Sequence, residues 1–179
     1  MTWAWKEAVI VESNPLRVQI DQESATLPST AWSTGDVVLA NEYERCPETG
    51  QGQPPHDLIT LTHLDEPAVV ESLQHRFAQD QIYTSTGPVL LAINPFCAIR
   101  GLYGETVQKK YWDRADRQSK EVLPPHVYAI ADASFRNMMR CLEDGTDANQ
   151  SILVSGESGA GKTVTTKFVM KYLAALSQR

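Results

Sequence analysis

Residues Gly156-Glu157-Ser158-Gly159-Ala160-Gly161-Lys162-Thr163 set three glycines, a lysine and a threonine in the spacing of a complete phosphate-binding loop. The pattern constrains the fold because it works only where a strand enters the loop and a helix leaves it. Glycines let the backbone turn its N–H groups toward phosphate oxygens, and Lys162 adds a mobile cation for the β- and γ-phosphates. The hydroxyl of Thr163 is a ligand for Mg²⁺, and a helix beginning near Gly161 directs its positive end at the same anion. Both flanks fit. Ser151-Ile152-Leu153-Val154-Ser155 is a short apolar run, expected to be a buried parallel strand. Downstream, Val164, Phe168, Tyr172, Leu173 and Leu176 recur at helical spacing, with Lys167, Lys171 and Gln178 on other faces. A glycine-rich turn that merely joins two elements is the weaker reading.

Bulk properties narrow the setting. The 179 residues suit one domain, or one with a small appendage. A net charge of −6 offers no basic field for nucleic acid or lipid. Cys46, Cys97 and Cys141 are widely spaced and form no CxxC pair, which points to reduced thiols. The opening Met1-Thr2-Trp3-Ala4-Trp5-Lys6-Glu7 lacks a secretory layout, and no apolar run nears the roughly 20 residues that cross a bilayer. The chain therefore reads as cytoplasmic, with no membrane insertion.

Residues 1–43 carry a different signature from the rest. Val9-Ile10-Val11 and Val18-Gln19-Ile20 flank the turn signal Ser13-Asn14-Pro15, and Thr34-Gly35-Asp36 precedes Val37-Val38-Leu39-Ala40. A small antiparallel β module is expected, with Trp5 and Trp32 as packing aromatics. A linker over 44–56, rich in Pro, Gly and polar residues, leads into an α/β region over 57–179. There Asp65-Glu66-Pro67 starts a helix whose stripe is Val70, Leu73 and Phe77. Ile82–Thr84 and Val89–Ile93 are strand-like around Gly87-Pro88. Pro124-Pro125 opens a longer helix with Val127, Ile130, Ala131, Phe135, Met138 and Leu142 on one face, stopped by Gly145. That period places Asp132 on a helix, not at the end of an acid-tipped strand. The polar run from Asp113 to Lys120 reads as a solvated surface segment. His56, His63, His75 and His126 form no metal-ligand set, so no zinc is expected.

Taken in order, Thr62-His63-Leu64-Asp65-Glu66-Pro67, Ile82 through Asn94-Pro95-Phe96, Pro125-His126-Val127-Tyr128-Ala129 and Asn149 through Thr163 resemble the start of a myosin motor head. The match covers about 57–177, and 1–43 fits more loosely the SH3-like β-barrel that precedes many such heads. The resemblance implies an α/β fold, the P-loop NTPase core of a myosin motor, behind a small SH3-like β-barrel. It also implies Mg·ATP as ligand, with actin filaments as partner and a cytoskeletal location. The loop residues Gly156, Glu157, Ser158, Gly159, Ala160, Gly161, Lys162 and Thr163 would hold the phosphates, with Thr163 on the metal. Asn94, Pro95 and Tyr103 would flank the adenine, with Arg100 standing where related segments commonly carry a proline.

Hydrolysis further requires a metal-side carboxylate and a group that orients the attacking water. In myosin heads these come from two later loops of Asn-x-x-Ser-Ser-Arg and Asp-x-x-Gly-Phe-Glu type, and neither pattern occurs in this sequence. The expectation is an ATP-binding segment without catalytic residues of its own. It is expected to be a fragment of a longer head, poorly soluble alone because too few strands are present to complete a sheet. Two rivals belong to other classes: a catalytically inert nucleotide-binding or interaction module, and a non-motor P-loop kinase. A kinase is disfavoured because its acceptor site and lid would ordinarily lie after the loop.

Overall fold

The computed structural model describes residues 8–13, 16–20, 23–27, 38, 40–45, 52–116 and 122–178. The first of these form an open antiparallel sheet of β1 (Val9–Ser13), β2 (Leu16–Ile20) and β3 (Glu23–Thr26), in the order β1-β2-β3. The register runs from Val9 opposite Gln19 to Ser13 opposite Leu16, with an irregularity between Ile10 and Glu12. Trp5, Trp32, the turn at Asn14-Pro15 and most of the Val37–Ala40 run lie outside the described residues, as does any barrel closure that rests on them. A two-residue ladder, β4 (Glu44–Arg45) with β5 (Gly52–Gln53), leads out of this module.

Among the described residues, Asn41 and Tyr43 join this region to the α/β part of the chain. The side chain of Asn41 both donates to the carbonyl of His63 and accepts from its N–H, each at 2.8 Å. The hydroxyl of Tyr43 lies 2.9 Å from that of Ser72, on helix α1 (Glu66–Ala78). Asp65 caps α1 as expected, accepting from Ala68 N at 2.9 Å, with Pro67 in the first turn. The buried face is not the expected apolar stripe. Ala68, Ser72 and Arg76 face inward at i, i+4 and i+8, while Phe77 is 39% exposed. Arg76 draws this face in. Its guanidinium donates to Thr84 Oγ1 and Tyr83 O, both at 2.8 Å, and to the carbonyls of Pro54 and Pro55. A buried guanidinium is tolerated only when its fork of donors is met in this way.

Those acceptors belong largely to a hairpin of β6 (Tyr83–Thr86) and β7 (Val89–Ala92). Gly87 opens the two-residue turn at φ +56°, and Pro88 comes next with its fixed negative φ, the arrangement of a type II′ hairpin turn. Ile93 N donates to Ile82 O at 3.0 Å and carries the pairing one step further, to the threshold of Asn94.

The core is built by three helices: α2 (Glu105–Asp116), α3 (Val127–Glu143) and α4 (Lys162–Leu176). Helix α2 was not anticipated: Asp113–Asp116, at the start of the polar run, complete a helix that buries Gln108, Tyr111 and Trp112. The helix at 127–143 ends near Gly145 (φ +67°) as expected, but Leu142 is 58% exposed, so its buried face stops earlier than the stripe suggested. In α4 the buried residues are Val169, Tyr172 and Leu176, and Val164 lies outside the core. A further correction concerns Ile152–Val154, which is not a strand, and the described sheets are antiparallel. An apolar run becomes a strand only when a neighbouring edge receives its backbone groups. Here the run alternates instead, with Leu153 91% exposed and Ile152 packed against the core.

His126 sits at the centre of that core, its ring against Tyr83, Tyr103, Tyr111 and Tyr128. Nδ1 accepts from Tyr128 N at 3.1 Å and caps α3, and Nε2 lies 3.1 Å from Leu102 O. One nitrogen must accept and the other donate, which specifies the neutral ring. Burial holds its pKa down to about 4, from an ordinary 6.5. Between these values the unfolded chain binds a proton that the folded chain refuses, so stability falls as pH drops from 6.5 and levels off below about 4. The expected loss is about 3 kcal/mol across that window. Urea unfolding at stepped pH checks it: His126→Asn, which keeps a cap acceptor, should lose most of the slope, and an identical slope in both proteins would contradict the assignment.

Candidate functional site

The loop at 156–161 turns on three glycines with positive φ: Gly156 at +150°, Gly159 at +83° and Gly161 at +93°. A Cβ at Gly156 would stand 3.0 Å from that of Ala160, tighter than most such contacts, so a side chain there would have to displace Ala160. Ala160 N donates to Glu157 O at 3.2 Å and tightens the turn. Lys162 folds back over it, and its ammonium donates to the carbonyls of Gly156 at 2.7 Å and Glu157 at 2.8 Å. An ammonium carries three N–H donors, so one remains to point away from the loop.

Gly161 caps α4 through its backbone alone, and the first helical bond runs from Thr165 N to Gly161 O at 2.9 Å. The amides of Lys162, Thr163 and Val164 therefore precede any helical acceptor and lie at the positive end of the helix. Thr163 is exposed beside them. An open groove of about 510 Å³ runs from Lys162 and Thr163 along α4 to Met170, with Val154 as part of its wall. Cation, helix end and free amides all favour an anion at this place.

The second contributor is the segment after β7. Asn94 Oδ1 accepts from Phe96 N at 2.9 Å, and Nδ2 donates to the carbonyl of Gly159 at 2.7 Å. The Asx turn holds Phe96 at φ +52° with its ring 85% exposed. Asn94 thus joins the loop from 65 residues away, a contact that no local pattern announces. Pro95 is half-buried beside it. Tyr103 lies within the aromatic core: its hydroxyl is 2.7 Å from that of Tyr83, and its ring stacks on Phe168 of α4 at 3.5 Å between centroids. Burial raises its phenol pKa, partly offset by the bond to Tyr83. Asp132 is engaged elsewhere, accepting from Tyr172 and Arg136 on helices, as its helical placement anticipated.

A family model of the myosin head (motor domain) matches residues 55–179. The chain belongs to the myosin head family. The motor domain of this family has a P-loop NTPase fold, and the loop at 156–161 lies within the matched residues. This myosin-head chain is 43% identical to Myosin-2 of Arabidopsis thaliana over 159 residues, which is 88% of this chain and 12% of that protein. It is 44% identical to the Myosin-J heavy chain of Dictyostelium discoideum over 140 residues, 78% of this chain and 6% of that protein. Myosin-13 of Arabidopsis thaliana matches over 98% of the chain at 38% identity, including the region before residue 55. The chain spans 12% or less of the length of these relatives.

The contact between Gly156 and Ala160 carries a direct expectation. Gly156→Ala adds a methyl group that crowds Ala160, where the backbone is strained for an L-residue, at a cost of about 1–3 kcal/mol. Calorimetric titration with inorganic pyrophosphate should show about tenfold or greater weakening, with the helical circular dichroism unchanged. Undiminished binding would show that the close approach does not shape the anion site.

Proposed function

We propose that the loop at 156–163 binds the phosphates of Mg·ATP, and that the whole protein is an actin-based motor whose ATP site begins with this segment. One observation carries the reading: the Lys162 ammonium is seated on two loop carbonyls at the positive end of α4, with a donor to spare. The donor set suits the ligand. Backbone amides and an ammonium match phosphate oxygens, and the hydroxyl of Thr163 suits a hard cation such as Mg²⁺. When bound, the metal would offset phosphate charge. Asn94, Pro95 and Tyr103 would lie together at the side of the site that receives the base, with Pro95 and Tyr103 toward it and Asn94 turned to the loop.

The chain's own residues hold and orient; they do not cut. Asp132 is committed to Tyr172 and Arg136, and the two loop patterns that supply hydrolytic groups in myosin heads do not occur in this sequence. Hydrolysis and the actin surfaces are therefore assigned to other parts of the motor. The organisation that accompanies this reading is a small SH3-like β module over 1–43, a linker over 44–56 and the first part of the motor core over 57–179. A cytoplasmic, cytoskeletal setting belongs to the same proposal.

Lys162→Ala tests it. Loss of a charge-assisted contact worth about 1.5–3 kcal/mol should weaken a fluorescent ATP analogue roughly ten- to hundred-fold. Equal affinity of the variant and the unmodified chain would remove Lys162 from the site.

A further inference from the structure

We infer that Asn94 is a positioning residue for the phosphate loop, acting on Lys162 through the backbone rather than through the base. The inference rests on the phosphate-site reading of residues 156–163 and deepens it.

The orientation of the Asn94 amide is not arbitrary. Oδ1 takes the N–H of Phe96 at 2.9 Å, which leaves Nδ2 to face the Gly159 carbonyl at 2.7 Å. A flipped amide would set oxygen against oxygen and a donor against a donor. Gly159 sits at φ +83°, one of many conformations open to a glycine, so an external partner for its carbonyl helps to select this turn. In a planar trans peptide the C=O and the next N–H point in opposite directions. Pinning Gly159 O therefore also aims Ala160 N, which donates to Glu157 O at 3.2 Å. The carbonyl of Glu157 is one of the two that seat Lys162 Nζ. A continuous path thus runs from Asn94 through the Gly159–Ala160 peptide and Glu157 O to the loop's cation. Gly161 completes the fit, since a Cβ there would lie 3.8 Å from Asn94 Cγ, in ordinary contact. Asn94 stands on the end of the β6–β7 pairing, so the brace is anchored on a different element from α4.

This role makes Asn94 matter equally for ligands with and without a base. In the full chain, Asn94→Leu, uncharged and of similar size, should weaken Mg·ATP and Mg·tripolyphosphate by the same factor, about tenfold. Weaker ATP binding with tripolyphosphate unchanged would assign Asn94 to the base and overturn the inference, as would unchanged affinity for both. A second measurement needs no ligand. Asn94→Asp keeps the bond from Phe96 and replaces the donor to Gly159 with a carboxylate oxygen that repels its carbonyl, so NMR of the free chain should show the backbone resonances of Glu157, Gly159 and Ala160 displaced. Resonances that stay in place overturn the brace. An unmodified chain that binds neither polyphosphate would instead overturn the phosphate-site reading, leaving the NMR result to decide the brace.

Discussion

The carboxylate of Asp132 ties the helices that place the loop. Nearly buried on α3, it accepts from Tyr172 of α4 at 2.9 Å and from Arg136 one turn along at 2.7 Å. Arg136 in turn reaches the carbonyl of Trp112 on α2 at 3.2 Å. One anionic group therefore connects three helices, and the stacked rings of Tyr128 and Tyr172 fill the space beside it. The Arg136 side chain is about one-third exposed, so water screens part of its attraction to Asp132, and the Tyr172 hydroxyl supplies the buried half of the tie. The loop depends on this tie through geometry. Tyr172 lies ten residues along α4 from Lys162, about 15 Å at the rise of a helix, so fixing the far part of α4 aims its N-terminus.

A second anchor is independent of the first. Arg76 fastens α1 to β6 and to the Pro54-Pro55 segment through hydrogen bonds to neutral acceptors. His56 also lies 3.2 Å from this guanidinium, and burial together with the nearby charge lowers its pKa, which keeps its ring available as an acceptor. The fixed hairpin delivers Asn94 to Gly159. The loop at 156–161 is thus held between an aromatic helix cluster and the end of a hairpin. Its glycines are free to take many conformations, and both supports hold them in this one.

Much of this site was legible because it is local. The spacing of Gly156, Gly161, Lys162 and Thr163 encodes a turn, a helix start and a cation within eight residues, and the cap at Asp65 is equally compact. What escaped was set by distant partners. Arg76 looks like a surface residue until Thr84 and Tyr83 are folded against it. Helix α2 was hidden by Lys109, Lys110 and Asp113, although Gln108, Tyr111 and Trp112 mark an inward face at helical spacing. Ile152–Val154 has the composition of a strand, but composition supplies no neighbouring edge. The resemblance of the motifs to a myosin head reached further than local rules, and the family match over 55–179 bears it out.

If residues 156–163 hold phosphates as proposed, they do so on a support built by the chain's own helices and hairpin. Titrating the ¹⁵N-labelled chain with Mg·ATP tests this most directly. Saturable shifts are expected to concentrate at Gly156–Thr163 and Asn94, with the α3 resonances around Asp132 little changed. Saturable shifts centred elsewhere, or none at millimolar nucleotide, would contradict it.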